Sequence, residues 1–251
     1  MQALDIKNTA VHSKLINPAS PRTGGACATS VAVQRHQKAT IMKLYQSSAS
    51  PNSRRVRIFI AEKGVNVQVV PVDLGAREQL GDAYLAINPR AQVPTLVLDD
   101  GTPISEVLAI WRYLEETHPS PTLLGIDSKD KGIVTMWERR MELDGFAAVM
   151  EAVRNAVPGL KGRALSGPHD YDQIPELVER SRARIVNFYS DLEARLSSSP
   201  FVAGEIFSVA DITALVTVDF ATAAAKLPIP AEHASIRLWY DVVTARPSAK
   251  A

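Results

Sequence analysis

The order of strand and helix patterns along residues 42–118 places the tightest limit on the fold of this chain. Short apolar or alternating runs separated by helical patterns give the order β-α-β-α-β-β-α. Strand patterns then stop, and helical periodicity takes over after a proline-rich connection at 119–128. We therefore predict a first α/β domain with a mixed sheet at 42–118, a linker at 119–128 and an all-helical domain at 129–251.

The individual elements carry local signals. "IMKLYQ" and "VNVQVVPVDL" predict strands at 41–46 and 65–74, and Gly64 between them ends a helical pattern. Asp100–Gly101 predicts a hairpin turn between two further strands. In the second half, the apolar periodicity predicts helices over four stretches: 129–157, 175–197, 208–226 and 231–244.

Composition narrows the partners and the compartment. The net charge of +1 gives no argument for a nucleic-acid partner. No apolar run reaches the length of a membrane span. The single cysteine, Cys27, excludes an intramolecular disulfide and a cysteine-rich metal site. We predict no metal and a reducing, cytoplasmic location.

The first 41 residues differ from the rest of the chain. They carry Lys7, Lys14, Arg22, Arg35 and Lys38 against the single acid Asp5, and they contain no aromatic residue. We predict a disordered basic extension. A transit peptide is one interpretation. A simple tail, or an upstream start with Met42 as the true one, is the other.

The stretch "FSVADITAL" predicts the start of a helix. Ser208 can cap the backbone N–H of Asp211, and the carboxylate of Asp211 can reach back to Ser208. Phe207 and Ile212 occupy the two positions of a hydrophobic staple. This is a folding device rather than a site.

The stretch "SSASPNSRRVRIFIAEKG", from Ser47 to Gly64, places a polar loop directly before a helix. Helix N-termini bind anions, so the loop is either a simple connection or an active site. Arg54 and Arg55 at the helix start either add positive field to such a site or are solvated surface charges.

The motifs together resemble the soluble glutathione transferases. They are the serine-rich loop before "RRVRI", then "NPRAQVPTLVLDDG", then "ISEVLAIWRYLEE", and finally "SVADI" in the helical half. The resemblance covers the chain from Met42 onward and is nearest to the bacterial serine-type members, similar to the zeta and theta classes. It implies a thioredoxin-like first domain, glutathione as cosubstrate with no other cofactor, a small hydrophobic electrophile and a homodimer. The alternative is a non-catalytic binding module of the same fold.

The resemblance also implies which residues activate the thiol. Ser50 falls at the position of the thiolate-stabilising serine, with Asn52, Ser53 and Ser48 as alternatives. Asn52 stands where zeta-like members have a cysteine, which puts their isomerase and thiol-exchange reactions in doubt. A thiolate could also attack a peroxide, so a glutathione peroxidase side activity is a further expectation.

Further positions are implied for binding of glutathione: Gln79, Gln92, Val93, Pro94, Glu106 and Val107. In the family the Val93–Pro94 bond is cis, and the valine backbone pairs with the cysteinyl part of glutathione. Glu106 would take the γ-glutamyl ammonium. Val107 replaces a serine that would hold the γ-glutamyl carboxylate, so we expect weaker glutathione binding. For the electrophile pocket the candidates are Met141, Phe146 and Met150, each of which could instead be core packing.

Overall fold

The computed structural model describes residues 41–251, which belong to one compact unit. The predictions for the basic extension, including Cys27, lie outside the described residues. Among residues 41–251, no helix combines the length and the apolar character needed to cross a membrane.

The first half is the predicted mixed sheet with helices. Its strands are β1 (Lys43–Gln46), β2 (Gln68–Pro71), β3 (Thr95–Val97) and β4 (Pro103–Ser105). Their order in the sheet is β2-β1-β3-β4; β1 is parallel to β2, and the pairs β1–β3 and β3–β4 are antiparallel. The helices of this half are α1 (Pro51–Lys63), α2 (Asp82–Leu85) and α3 (Val107–Thr117).

The turns of this half agree with the local signals. Gly64 ends α1 in a left-handed conformation with φ of 62°, which glycine adopts without steric cost. Gly101, with φ of 90°, lies between β3 and β4, and the Asp100 carboxylate accepts a hydrogen bond from the N–H of Thr102 at 2.8 Å. The predicted strand at 65–74 is shorter in the structure, because only 68–71 pairs with β1.

The second half is helical, as predicted. It contains α4 (Ser128–Arg140), α5 (Ala147–Ala156), α6 (Pro175–Leu196), α7 (Val209–Ala223) and α8 (Ala234–Thr244). A π-helical segment, Met141–Phe146, joins α4 to α5. The single helix predicted over 129–157 is therefore continuous but is not α-helical throughout.

The π-helical segment packs against α6. Gly145 is buried, and a Cβ atom added there would lie 2.5 Å from Cε2 of Phe188. Only a residue without a side chain lets the ring of Phe188 approach this backbone. The neighbouring Phe146 contacts the first half, since the guanidinium of Arg55 lies 5.0 Å from the centre of its ring.

The capping box predicted at the start of α7 is present. The side chain of Ser208 accepts a backbone hydrogen bond, and Asp211 accepts one from the backbone N–H of Ser208 at 2.9 Å. Asp211 is fully buried and also accepts from Val202 N at 2.8 Å and Trp239 Nε1 at 2.9 Å. Its carboxylate thus joins the start of α7 to two other parts of the helical half.

Ion pairs and hydrogen bonds tie α1 to the linker and to the C-terminal segment. The ammonium of Lys63, at the end of α1, donates to the carbonyls of His118 at 2.8 Å and Pro121 at 2.5 Å, and it pairs with Glu115. Arg246, near the C-terminus, pairs with Glu62 at 2.7 Å. These contacts hold the linker and the C-terminal segment against α1.

Candidate active site

A cavity of about 840 Å³ lies between the two halves. This volume is in the range of small-molecule sites. One wall comes from loops of the first half, at 49–52, 74–80, 91–94 and 105–108. The facing wall comes from the helices α4, α5 and α7, from the π-helical segment and from the loop between α5 and α6.

The N-terminus of α1 opens into this cavity. Ser50 is the N-cap, and its Oγ atom accepts a hydrogen bond from the N–H of Ser53 at 3.2 Å. Pro51, the first residue of the helix, has no N–H to satisfy. The N–H of Asn52 makes no hydrogen bond within residues 41–251. The positive end of the helix dipole and an unused N–H are therefore directed to the cavity side of the loop.

Ser50 retains a donor for a ligand. Its oxygen is used as an acceptor by the N–H of Ser53, so its hydroxyl proton remains available. The residue is 8% exposed and lines the cavity. A buried hydroxyl beside a helix N-terminus can stabilise an anion such as a thiolate.

Asn52 lines the cavity beside it. Its Oδ1 atom accepts a hydrogen bond from Nη1 of Arg55 at 3.2 Å. This contact fixes the orientation of the amide, and it leaves the two N–H groups of the side chain as donors.

Ser53 does not reach the cavity. It lies on the buried face of α1, and its Oγ atom accepts a hydrogen bond from the N–H of Ser47 at 3.3 Å. Ser48 is exposed and does not line the cavity either. Of the four candidates for thiol activation, the structure therefore brings Ser50 and Asn52 to the site.

Arg55 is buried beneath the loop, so the interpretation of this residue as a solvated charge was wrong. Its guanidinium pairs with Glu138 at 2.7 Å and with Glu142 at 3.2 Å. It also lies 5.1 Å from the ring centre of Trp111 and 5.0 Å from that of Phe146. Burial raises the pKa of Glu138, and the charge of Arg55 opposes this rise.

Arg54 is also paired rather than solvated. Its Nη1 atom lies 2.6 Å from the carboxylate of Asp219 on α7, and its side chain is 25% exposed. Both arginines therefore pair with acids of the helical half, and each ties α1 to it.

The Val93–Pro94 bond is cis, as the resemblance implied. The backbone N–H and C=O of Val93 make no hydrogen bond within the described residues, so both are free to pair with an extended peptide. The preceding carbonyl, of Gln92, accepts from Tyr84 and, at 2.9 Å, from Asn88. These hydrogen bonds hold the loop at 91–94 in place.

Glu106 precedes α3 and has a φ of 72°, which is uncommon for a residue with a side chain. Its side chain is exposed, makes no capping contact and lines the cavity. The N–H of Val107 begins α3 without a partner among residues 41–251, while the Val107 side chain is 6% exposed in the core. A carboxylate, which can bind an ammonium group, and a helix N-terminus, which can bind an anion, thus lie side by side. This arrangement suits a zwitterionic ligand.

Gln79 and Gln92 both line the cavity. The Oε1 atom of Gln79 is buried and has no hydrogen-bond partner among the described residues. Buried acceptors are usually paired, so this oxygen is a candidate acceptor for a donor of a bound ligand. The amide of Gln92 instead donates to the carbonyl of Ser166 in the α5–α6 loop at 3.0 Å.

The facing wall is largely apolar. Phe146 and Met150 line the cavity, whereas Met141 is 4% exposed in the core and does not. Phe220 of α7, which the sequence did not single out, lies with its ring centre 6.2 Å from that of Phe146. The helical spacing of 146, 150 and 153 could have identified Val153 as well.

Comparison with known proteins decides the family. The family described as "Glutathione S-transferase, N-terminal domain" matches residues 44–122, and "Glutathione S-transferase, C-terminal domain" matches 175–242. Glutathione S-transferase 2 of Saccharomyces cerevisiae is 37% identical over 212 residues, which is 83% of this chain and 88% of the yeast protein. The chain belongs to the glutathione S-transferase family.

Further relatives place this transferase more closely. It superimposes on the crystal structure of Gtt2 from Saccharomyces cerevisiae with a TM-score of 0.76 and 36% identity, over 83% of this chain and 98% of that one. The maleylacetoacetate isomerase of Pseudomonas aeruginosa is 41% identical over 101 residues, 38% of this chain. The thioredoxin-like first domain followed by a helical second domain is confirmed for this transferase.

Proposed function

We propose that the protein conjugates the thiolate of glutathione to small hydrophobic electrophiles. The observation that carries this proposal is that the free backbone of Val93 and the N-terminus of α1 meet at one cavity. One group can hold an extended tripeptide by its cysteinyl backbone. The other can stabilise the sulfur anion of the same residue.

The ends of glutathione fit the remaining groups of the first half. The γ-glutamyl ammonium is placed at the exposed carboxylate of Glu106, and the γ-glutamyl carboxylate at the unpaired N–H groups that begin α3. Gln79 supplies a buried acceptor for an amide N–H of the tripeptide. Gln92 can contribute its amide oxygen and the second N–H of its amide, since only one N–H donates to the carbonyl of Ser166.

Ser50 and Asn52 are proposed to lower the pKa of the thiol. A free thiol has a pKa of about 8.5, and lowering it by about two units takes roughly 2.7 kcal/mol of preference for the anion. One or two hydrogen bonds to a charged acceptor supply about 1.5–3 kcal/mol each. The hydroxyl of Ser50 and the N–H groups of Asn52 are the donors.

The reaction then needs only an electrophile beside the sulfur. The thiolate forms a bond to an electrophilic carbon, and a leaving group departs with the bonding electrons; the thiol proton has already gone to solvent. Phe146, Met150 and Phe220 supply an apolar wall for such a molecule. The same thiolate can cleave a hydroperoxide, with a second glutathione completing the reduction to alcohol, water and glutathione disulfide.

An ultraviolet difference titration of bound glutathione from pH 5 to 9 tests thiol activation. We expect a bound thiol with a pKa of about 6–7. Ser50→Ala should raise this pKa and cut conjugation at least tenfold with glutathione affinity nearly unchanged. Ser50→Thr, which keeps both the hydroxyl and the cap, is the matched control. Saturated protein without a thiolate signal would overturn the proposal and favour the alternative, a non-catalytic binding module.

Assembly and location belong to the same proposal. We propose a homodimer in the cytoplasm, with the domain boundary in residues 119–128, because soluble members of the family have this organisation. Sedimentation at micromolar concentration tests the dimer, and a monomer there would contradict it.

A further inference from the structure

Two arginines of the helical half line the cavity. Arg154 is in the last turns of α5, and Arg163 is in the α5–α6 loop, which comprises residues 157–174. Neither guanidinium has a carboxylate within 4.0 Å in the described part of the chain; Asp170 lines the same cavity but lies farther from both. Two neighbouring positive charges therefore face the cavity without a counter-ion.

Arg154 organises the loop around its partner. Its guanidinium donates to the carbonyls of Arg163 at 2.6 Å, Ala164 at 3.3 Å and Leu165 at 2.9 Å. Burial lowers the pKa of Arg154, and the charge of Arg163 lowers it further, so the two side chains repel each other. The loop is thus fixed in a shape that holds like charges together, which an anion between them would stabilise.

Arg163 has donors left over. One of its terminal N–H groups donates to the carbonyl of Gly159 at 2.8 Å. Its Nε atom is buried and has no partner within residues 41–251. Buried donors are rarely left unpaired, so this guanidinium presents a vacant place for an acceptor. A planar guanidinium suits a carboxylate.

The wall that leads to this pair is apolar. Phe146, Met150 and Arg154 occupy one face of the helix at spacings of four, and Val153 lies three residues after Met150. Phe146 is at the thiol end, because Arg55 contacts both its ring and the side chain of Asn52. Eight residues of helix separate Phe146 from Arg154, a rise of about 12 Å.

We propose that this site binds electrophiles with an apolar body and a carboxylate about 10 Å from the reacting carbon, and that Arg163 binds the carboxylate while Arg154 positions Arg163. This inference rests on the proposed function. Aryl enones with a terminal carboxylate are the class that fits. The thiolate sulfur forms a bond to the β-carbon, the π electrons move to the enolate oxygen, and solvent protonates the α-carbon; nothing leaves.

The glutathione carboxylates are a second source of the same anionic group. We favour the electrophile, since Arg163 adjoins the apolar wall of the helical half. The groups proposed to hold glutathione belong to the first half, and of these Gln92 donates to Ser166 of the same loop as Arg163. Kinetics with each substrate varied in turn separate the two sources.

The experiment compares ethacrynic acid, an aryl enone with a carboxylate, with its neutral methyl ester. We expect kcat/KM for the acid to exceed that for the ester by about tenfold or more. Arg163→Gln should remove this preference without changing the rate for 1-chloro-2,4-dinitrobenzene or the KM for glutathione. Arg237→Gln, an exposed arginine of α8 outside the cavity, is the matched control.

Two results would overturn the inference while leaving the proposed function intact. One is equal rates for acid and ester in the wild-type protein, with the neutral aryl chloride still conjugated. The other is a raised KM for glutathione in Arg163→Gln, which would assign the arginine to glutathione.

A binding measurement covers the case in which no electrophile is conjugated. Chemically made glutathione conjugates of the acid and of the ester are titrated by calorimetry. Tighter binding of the acid conjugate that Arg163→Gln abolishes supports the carboxylate site without catalysis. Equal binding of the two conjugates overturns it.

Discussion

The Nη2 atom of Arg55 lies 2.7 Å from the Oε1 atom of Glu138, and the two side chains are 0% and 1% exposed. Arg55 is the fifth residue of α1, the helix that follows the loop proposed to activate the thiol, and Glu138 belongs to α4. Removing one member of a buried ion pair leaves the other charge uncompensated, which is far costlier than replacing both.

The first prediction follows from this pair. Arg55→Met should lower the free energy of unfolding by about 3–5 kcal/mol, because Glu138 would stay buried without its cation. The double variant Arg55→Met/Glu138→Met should be less destabilised than the single one. Arg112→Met, at an exposed i,i+4 pair, should change stability by no more than about 0.5 kcal/mol. Urea unfolding measures the free energy of unfolding of all three variants. A double variant less stable than Arg55→Met would contradict the prediction.

The second prediction concerns the place of the missing serine. Val107→Ser adds a hydroxyl at the N-terminus of α3, where the γ-glutamyl carboxylate is proposed to bind. The dissociation constant for glutathione should fall by roughly tenfold. Val107→Ala removes buried methyl groups without adding a donor, so it controls for lost packing. Calorimetry should give a much lower dissociation constant for glutathione in the serine variant than in the alanine variant. Equal constants would mean that the γ-glutamyl carboxylate does not bind at this position.

The third prediction tests the close approach at the π-helical segment. Gly145→Ala would force a Cβ atom against the ring of Phe188, and overpacking of this kind costs about 1–3 kcal/mol. A Cβ atom added at Gly132, on α4, has no neighbouring atom within 4 Å. Gly132→Ala should therefore raise the free energy of unfolding by up to about 1 kcal/mol, because alanine has the higher helix propensity. Thermal unfolding distinguishes the two. Similar shifts in both variants would show that the ring of Phe188 moves aside freely.

The fourth prediction is a pH dependence. Burial raises the pKa of Asp211 to about 6, so between its ordinary value of about 3.8 and 6 the folded state binds a proton that the unfolded state has lost. Protonation of Asp211 therefore contributes fully to the free energy of unfolding below about pH 4. This contribution falls by about 3 kcal/mol as the pH rises through 6. Asp211→Asn lacks this titration.

The comparison for Asp211 uses urea unfolding at pH 4.5 and 7.5. The free energy of unfolding of the wild-type protein should exceed that of Asp211→Asn by more at pH 4.5 than at pH 7.5. A difference that grows with pH would mean that the N–H donors around Asp211 favour its anion more than burial opposes it.

Much of the fold could be predicted because its signals are local. Gly64, the Asp100–Gly101 turn and the Ser208–Asp211 capping box each act over a few residues, and the structure contains all three. The sheet order follows from such elements once a family resemblance supplies the topology.

The partners of Arg55 could not be predicted from the sequence. An arginine in the first turn of a helix has the same local pattern whether water or a carboxylate surrounds it, and Glu138 is 83 residues away. The π-helical segment also escaped prediction, since it keeps the apolar spacing of the helices on either side. Arg163 lies in a loop without periodicity, where no pattern indicates which side chains face a cavity.

The ion pair of Arg55 also limits how such proteins can exchange parts. A chimera that joins this first half to a helical half without an acid at position 138 would bury an arginine without its main counter-charge. The same arginine orients Asn52, which is one of the two residues proposed to activate the thiol. We therefore expect chimeric proteins to fold best when Arg55 and an acid at position 138 are both retained.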